Sequence, residues 1–118
     1  MPSNSDATQA AVFDGPLPIP MGFWVIAGDT CETPANARWR VYDGVGLRGA
    51  SSTGCEIDAT EPQGDSIVVS QTCAARYDGE VRPTRDRITI TAPSRFTLLE
   101  GQAERGQDFN WCGPRLAP

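Results

Sequence analysis

The chain has 118 residues, 39% hydrophobic and 21% charged, with a net charge of −5 at neutral pH, which suits one folded domain with a modest core rather than a disordered chain. The longest apolar run, 23–27, is far short of the ~20 residues a spanning helix needs, so no transmembrane segment is expected. Every basic residue is an arginine scattered through an acidic chain, which argues against nucleic acid as a partner, because a basic face supplies the phosphate-neutralising charge. Histidine and lysine are absent, and with them the usual general base, imidazole metal ligands, Ser-His-Asp arrangements and Schiff-base chemistry. No catalytic residue, no cofactor and no metal is therefore expected.

Residues 1–21 read as a proline-rich extended leader, and 22–118 as a single β domain. The opening Met1-Pro2-Ser3-Asn4 has neither the basic nor the apolar region of a signal peptide. The run Gly15-Pro16-Leu17-Pro18-Ile19-Pro20 favours polyproline II. A spacer or a strap lying on the domain is the expected use, with docking to an aromatic-lined partner as the other reading.

Beyond residue 22 the hydrophobic period is two, with turn residues between runs, so the fold class is all-β with seven to eight short antiparallel strands. Strands are expected at 22–27, 37–42, 54–59, 66–74, 87–92, 95–100 and 108–112, with a short extended piece at 45–47 after the Asp43-Gly44 reversal. In the second, Ala37, Trp39 and Val41 alternate with Arg38, Arg40 and Tyr42, the pattern of a strand with one wet side. A hairpin centred on Gly64 pairs Cys55 with Cys73, Ile57 with Gln71, Ala59 with Val69 and Glu61 with Ile67. A Pro93-Ser94-Arg95 loop pairs Ile90 with Leu98 and Ile88 with Glu100.

Four cysteines at wide spacings, with no Cys-x-x-Cys pair, read as a two-disulfide framework and an extracytoplasmic protein, periplasmic or secreted, whose native signal peptide has been removed. Cys55 pairs with Cys73 by the hairpin register. That leaves Cys31 with Cys112, which joins the end of the first strand to the end of the last. Termini tied together in this way fit an up-and-down barrel or coiled sheet, with a β-sandwich as the competing architecture.

Gly22-Phe23-Trp24 opening the first strand, the cysteines around a glycine-containing hairpin, and the closing Trp111-Cys112 resemble small periplasmic proteins of proteobacteria. Many of these begin a β-barrel with Gly-x-Trp, as avidins, lipocalins and small bacterial metalloprotease inhibitors do. The resemblance implies that Trp24 plugs the barrel core, and Trp39 and Trp111 are taken as further core aromatics. It carries over no catalytic residue, and nothing here matches the inhibitory N-terminal segment of the protease inhibitors.

Three charged groups offer chemistry. Asp58, Glu61 and Asp65 cluster around one turn, and two carboxyls suffice for glycoside hydrolysis, but with no aromatic cleft in the sequence they are read as a solvated turn rather than a catalytic pair. Asp78-Gly79-Glu80 has too few oxygen ligands for a calcium loop and is read as a turn. Arg82, Arg85 and Arg87 concentrate three guanidinium groups that could bind a carboxylate- or phosphate-bearing partner; the alternative is a charged strand or loop that discourages aggregation. The function expected is a non-catalytic extracytoplasmic binding module whose partner is another protein, for instance an inhibitor of an extracellular enzyme. A small-molecule ligand carried in an open barrel interior, or an accessory role in an envelope assembly, are the alternatives.

Overall fold

A computed structural model describes residues 15–118. Its strands are β1 (Gly22–Ile26), β2 (Trp39–Tyr42), β3 (Leu47–Arg48), β4 (Ser52–Gln63), β5 (Ser66–Ala75), β6 (Val81–Ala92), β7 (Arg95–Glu100) and β8 (Gln107–Trp111), with one 3-10 turn at Asn36–Arg38. All neighbours run antiparallel in one sheet of order β3-β2-β1-β8-β7-β6-β5-β4. The first and last strands are hydrogen-bonded neighbours and the sheet coils into a nearly closed barrel, so the barrel is found rather than the sandwich. Both disulfides are formed as the register implied: Cys31–Cys112 and Cys55–Cys73, with Cα atoms 5.7 and 4.0 Å apart. Among the described residues no helix is long and apolar enough to cross a membrane.

The seam between β3 and β4 closes by substitutes for a strand ladder. Val45 O accepts from Ile57 N at 2.8 Å, and Gly46 packs so closely that a Cβ there would lie 2.2 Å from Cys55 O. Gln71 of β5 spans the remaining gap: its Nε2 donates to Leu47 O at 2.8 Å and its Oε1 accepts from Leu47 N at 3.0 Å. Gln71 is the sole buried polar residue among those described. Without it both Leu47 groups would be stranded, at about 1–3 kcal/mol each.

The expected hairpins hold with corrected registers. Ile57 does lie opposite Gln71, but a bulge at Asp58 then sets Ala59 opposite Ser70 and Glu61 opposite Val68. The turn is a two-residue Gly64-Asp65 reversal with Gly64 at φ +64°, the positive φ that primed hairpin turns require. In the β6–β7 hairpin Ile90 faces Phe96, not Leu98, and Ile88 faces Leu98, not Glu100, because the loop is Pro93-Ser94 with an irregularity at Thr91. The displacement is two residues, so every side chain keeps its face and the apolar match survives.

Strand β2 has no wet side, a correction to the half-buried pattern. Tyr42 is fully buried in the main core and Arg40 points into the barrel, while Trp39 and Val41 join Phe23 and Val25 in a second cluster outside it. The reason is tertiary. Cys31–Cys112 pins the C-terminal segment over this face, where the Arg115 guanidinium lies 4.4 Å from the Phe23 ring centre and bonds Cys31 O, and Arg48 donates to Leu116 O at 3.0 Å.

Of the expected leader, residues 1–14 lie outside the described residues. Residues 15–21 enter the barrel: Leu17 and Ile19 are each 1% exposed and pack with Trp24, Phe96, Phe109 and Ile88. Barrel side chains satisfy the strap's backbone. Leu17 N donates to Tyr42 Oη at 3.0 Å, Trp24 Nε1 to Pro20 O at 3.2 Å, and Trp111 Nε1 to Met21 O at 3.1 Å.

Candidate functional site

Unequal strand lengths create the site. β6 has twelve residues and β7 only six; β7 pairs with β6 from Asp86 to Ala92, whereas Val81–Arg85 pair with β5 alone. The barrel wall is therefore notched, and one side of β6 is an open edge over five residues. Pro83 sits in this one-sided stretch, the place in a sheet where a residue without an N–H is tolerated. The sequence concealed the strand's first half because proline and alternating charges resemble a loop, and the expected start at 87 is corrected to Val81.

Strand alternation separates the three arginines. Arg85 and Arg87 face outward into a cleft of about 680 Å³ with Val68, Pro83 and Leu99, whereas Arg82 falls on the face of Thr84 and Asp86. Arg82 Nη2 bonds Glu80 at 2.7 Å, which raises its pKa and lowers that of Glu80. Arg85 lies 3.6 Å from Glu61, a loose exposed pair of small energetic weight. Arg87 is exposed and forms no ion pair among the described residues.

On the inner side of the notch, the mouth of the barrel opens as a second cleft of about 570 Å³, lined by Arg40, Leu47, Gln71, Thr84, Asp86, Glu100 and others. Thr84, Asp86 and Glu100 line both clefts, so outer groove and mouth meet at the edge. Arg40 floors the mouth: its Nη1 donates to Trp39 O at 2.8 Å, its Nη2 to Glu100 Oε2 at 2.7 Å, and its guanidinium lies 5.4 Å from the Phe109 ring centre. Asp86 accepts from Gly101 N at 2.9 Å. Burial pushes the Asp86 carboxyl up from the usual aspartate range, against the pull of the Gly101 N–H; Glu100 raises it further and Arg40 opposes. Two carboxylates thus share one cation, leaving the mouth one negative charge in excess.

A folded-state pKa above the unfolded value means that Asp86 stabilises the fold fully below its unfolded pKa and loses that contribution as pH rises through the folded one. Asp29, held down by the Thr30 and Ala35 amides and Arg38, and Asp108, held down by Thr97 and Arg95, act in the opposite sense and lose theirs as pH falls. The Tm difference between Asp86→Asn and wild type is therefore expected to be near zero at pH 3 and to grow in favour of the variant toward pH 6. Calorimetry across that range checks it; an offset independent of pH would remove the burial account.

The other expected groups lie elsewhere. Asp58 accepts from Thr72 at 2.8 Å, Glu61 faces Arg85 and Asp65 stands in the turn after β4, so the carboxylates are spread along the hairpin rather than gathered in a cleft. Asp78 caps a turn by accepting from Glu80 N at 2.9 Å. Trp24 sits in the main core, Trp111 is packed against it, and Trp39 belongs to the outer cluster. Arg40, Asp86 and Glu100 were not singled out from sequence; the one available signal was that Asp86 shares the even-numbered face of Ile88 and Ile90. No protein-family model, curated protein or solved structure matches this chain.

Proposed function

We propose that the protein is a non-catalytic binding module of an oxidising, extracytoplasmic compartment, and that it takes up an extended segment of a protein partner as an added strand beside β6. The open edge of Val81–Arg85 between two clefts carries this reading. Unpaired strand backbone supplies affinity in β-augmentation, and pockets for alternate side chains supply specificity. The two disulfides support the compartment. The barrel centre is occupied by the chain's own Leu17, Ile19, Trp24, Phe96 and Phe109, which favours recognition at the wall over carriage of a bulky apolar ligand inside.

The side chains flanking the edge define the partner. Outward positions of an incoming strand meet Arg85 and Arg87, so they suit aspartate or glutamate. A second copy of the same edge would bring arginine against arginine, which disfavours self-pairing. An array of extended heptapeptides with acidic residues at alternate positions is expected to bind at micromolar concentration. Arg85→Ala/Arg87→Ala should weaken that binding at least tenfold, and N-methylation of alternate peptide amides should abolish it. Binding no stronger than that of scrambled sequences would overturn strand capture.

A further inference from the structure

We infer that the barrel mouth is the specificity pocket of this edge and receives a lysine or arginine side chain from the captured segment. The inference rests on the strand-capture reading for its peptide backbone, but the pocket makes its own demand for a cation.

The register places the side chain. β7 stands opposite β6 as far as Asp86↔Glu100, with Ile88↔Leu98 below it. A segment that continues β7's line sets its next inward residue opposite Thr84, beside Asp86 and Glu100 and above the mouth. Its neighbours, opposite Pro83 and Arg85, point outward to the arginine cleft. One strand thus presents acidic residues outward and a basic residue inward.

The chemistry of the mouth selects for that residue. Arg40 already spends its guanidinium on Glu100, Trp39 O and the Phe109 face. Asp86 has one carboxylate oxygen engaged by Gly101 N, which leaves the other available to a charge-assisted bond. A second cation neutralises the cluster and relieves the desolvation that disfavours the Asp86 carboxylate. Nearby hydroxyl and amide groups of Thr84, Ser51, Ser52 and Gln107 line the same cleft, and its ~570 Å³ exceeds what one long side chain requires. An acidic or neutral inward residue would leave the excess charge unpaired.

The test compares two alternating acidic heptapeptides that differ only in the inward residue, arginine or its uncharged isostere citrulline, together with the small probe Nα-acetyl-arginine methylamide. Calorimetry on the intact protein is expected to show the arginine peptide binding at least tenfold more tightly than the citrulline peptide. Asp86→Asn, which keeps an acceptor for Gly101 N, should erase that difference by weakening only the arginine peptide. The small probe should shift the Gly101 amide resonance of wild type and not of the variant. Equal affinities for the two peptides would overturn the basic pocket while leaving strand capture standing. Failure of both peptides together with a Gly101 shift by the small probe would overturn strand capture and leave the pocket. Failure of all three would overturn both, and the peptide substitution decides the matter even if the Asp86 variant does not fold.

Discussion

Replacing Leu17 and Ile19 together with alanine is expected to leave the protein largely unfolded at 37 °C. Each side chain is 1% exposed and seated against the central aromatics. Truncating a buried Leu or Ile to Ala costs about 2–5 kcal/mol through lost transfer energy and residual cavity. Two such losses consume most of a total stability of ~5–15 kcal/mol. The strap is also held by polar contacts, so Tyr42→Phe, which removes the acceptor of Leu17 N, should cost a further ~1–3 kcal/mol on its own. At Gly15 an added Cβ would come 2.5 Å from both Tyr42 Oη and Gly44 O with φ at +141°, so the entry of the strap tolerates no side chain. Urea denaturation should show a fall in midpoint for the double variant and a larger one for a chain starting at Met21, which also loses the strap's backbone contacts to Tyr42 and Trp24. An unchanged midpoint in either would return these residues to the role of a mere spacer.

Removing the Cys31–Cys112 bond by paired alanine substitution should lower Tm on the order of 15 °C. The bond closes a loop of 81 residues, worth ~4.5 kcal/mol in the chain-entropy model, and a domain of this size loses roughly 4 °C per kcal/mol. Cys55–Cys73 closes only 18 residues, worth ~3 kcal/mol, so its removal should cost about two thirds as much. The first bond has an added consequence that the second lacks. It holds the C-terminal segment against Phe23 and, through the Leu116 carbonyl, steadies the Arg48 guanidinium that lies 5.7 Å from the Trp39 ring centre. Its loss should therefore loosen the cover of Trp39 and red-shift part of the tryptophan emission. A scan under reducing conditions that moved Tm by less than ~3 °C would contradict the account for both.

What the amino-acid order determined by itself is local and periodic. Alternation at Ile88, Ile90, Phe96 and Leu98 marks two facing strands whatever their offset, because a side chain's face depends only on parity. The cysteine pairing followed from the Gly64 reversal and from the first strand meeting the last, and together they narrowed the architecture to a barrel, a coiled sheet or a sandwich without choosing among them. Where a bulge or a shortened loop intervened, at Asp58 and Thr91, the register moved, since an extra residue in one strand leaves no clear mark in hydrophobicity.

Three features were decided only in three dimensions. Leu17 and Ile19 lie between prolines, a pattern that reads as an extended leader, and only the empty volume of a coiled sheet makes them core. Both faces of β2 are buried because a disulfide distant in sequence lays the C-terminal segment over one of them. The open edge at Val81–Arg85 and its mouth of Arg40, Asp86 and Glu100 exist because β7 stops while β6 continues, bringing residues 40, 86 and 100 to one end of the barrel. Long-range pairing assembles such a site from strands far apart in the chain, so no local pattern announces it.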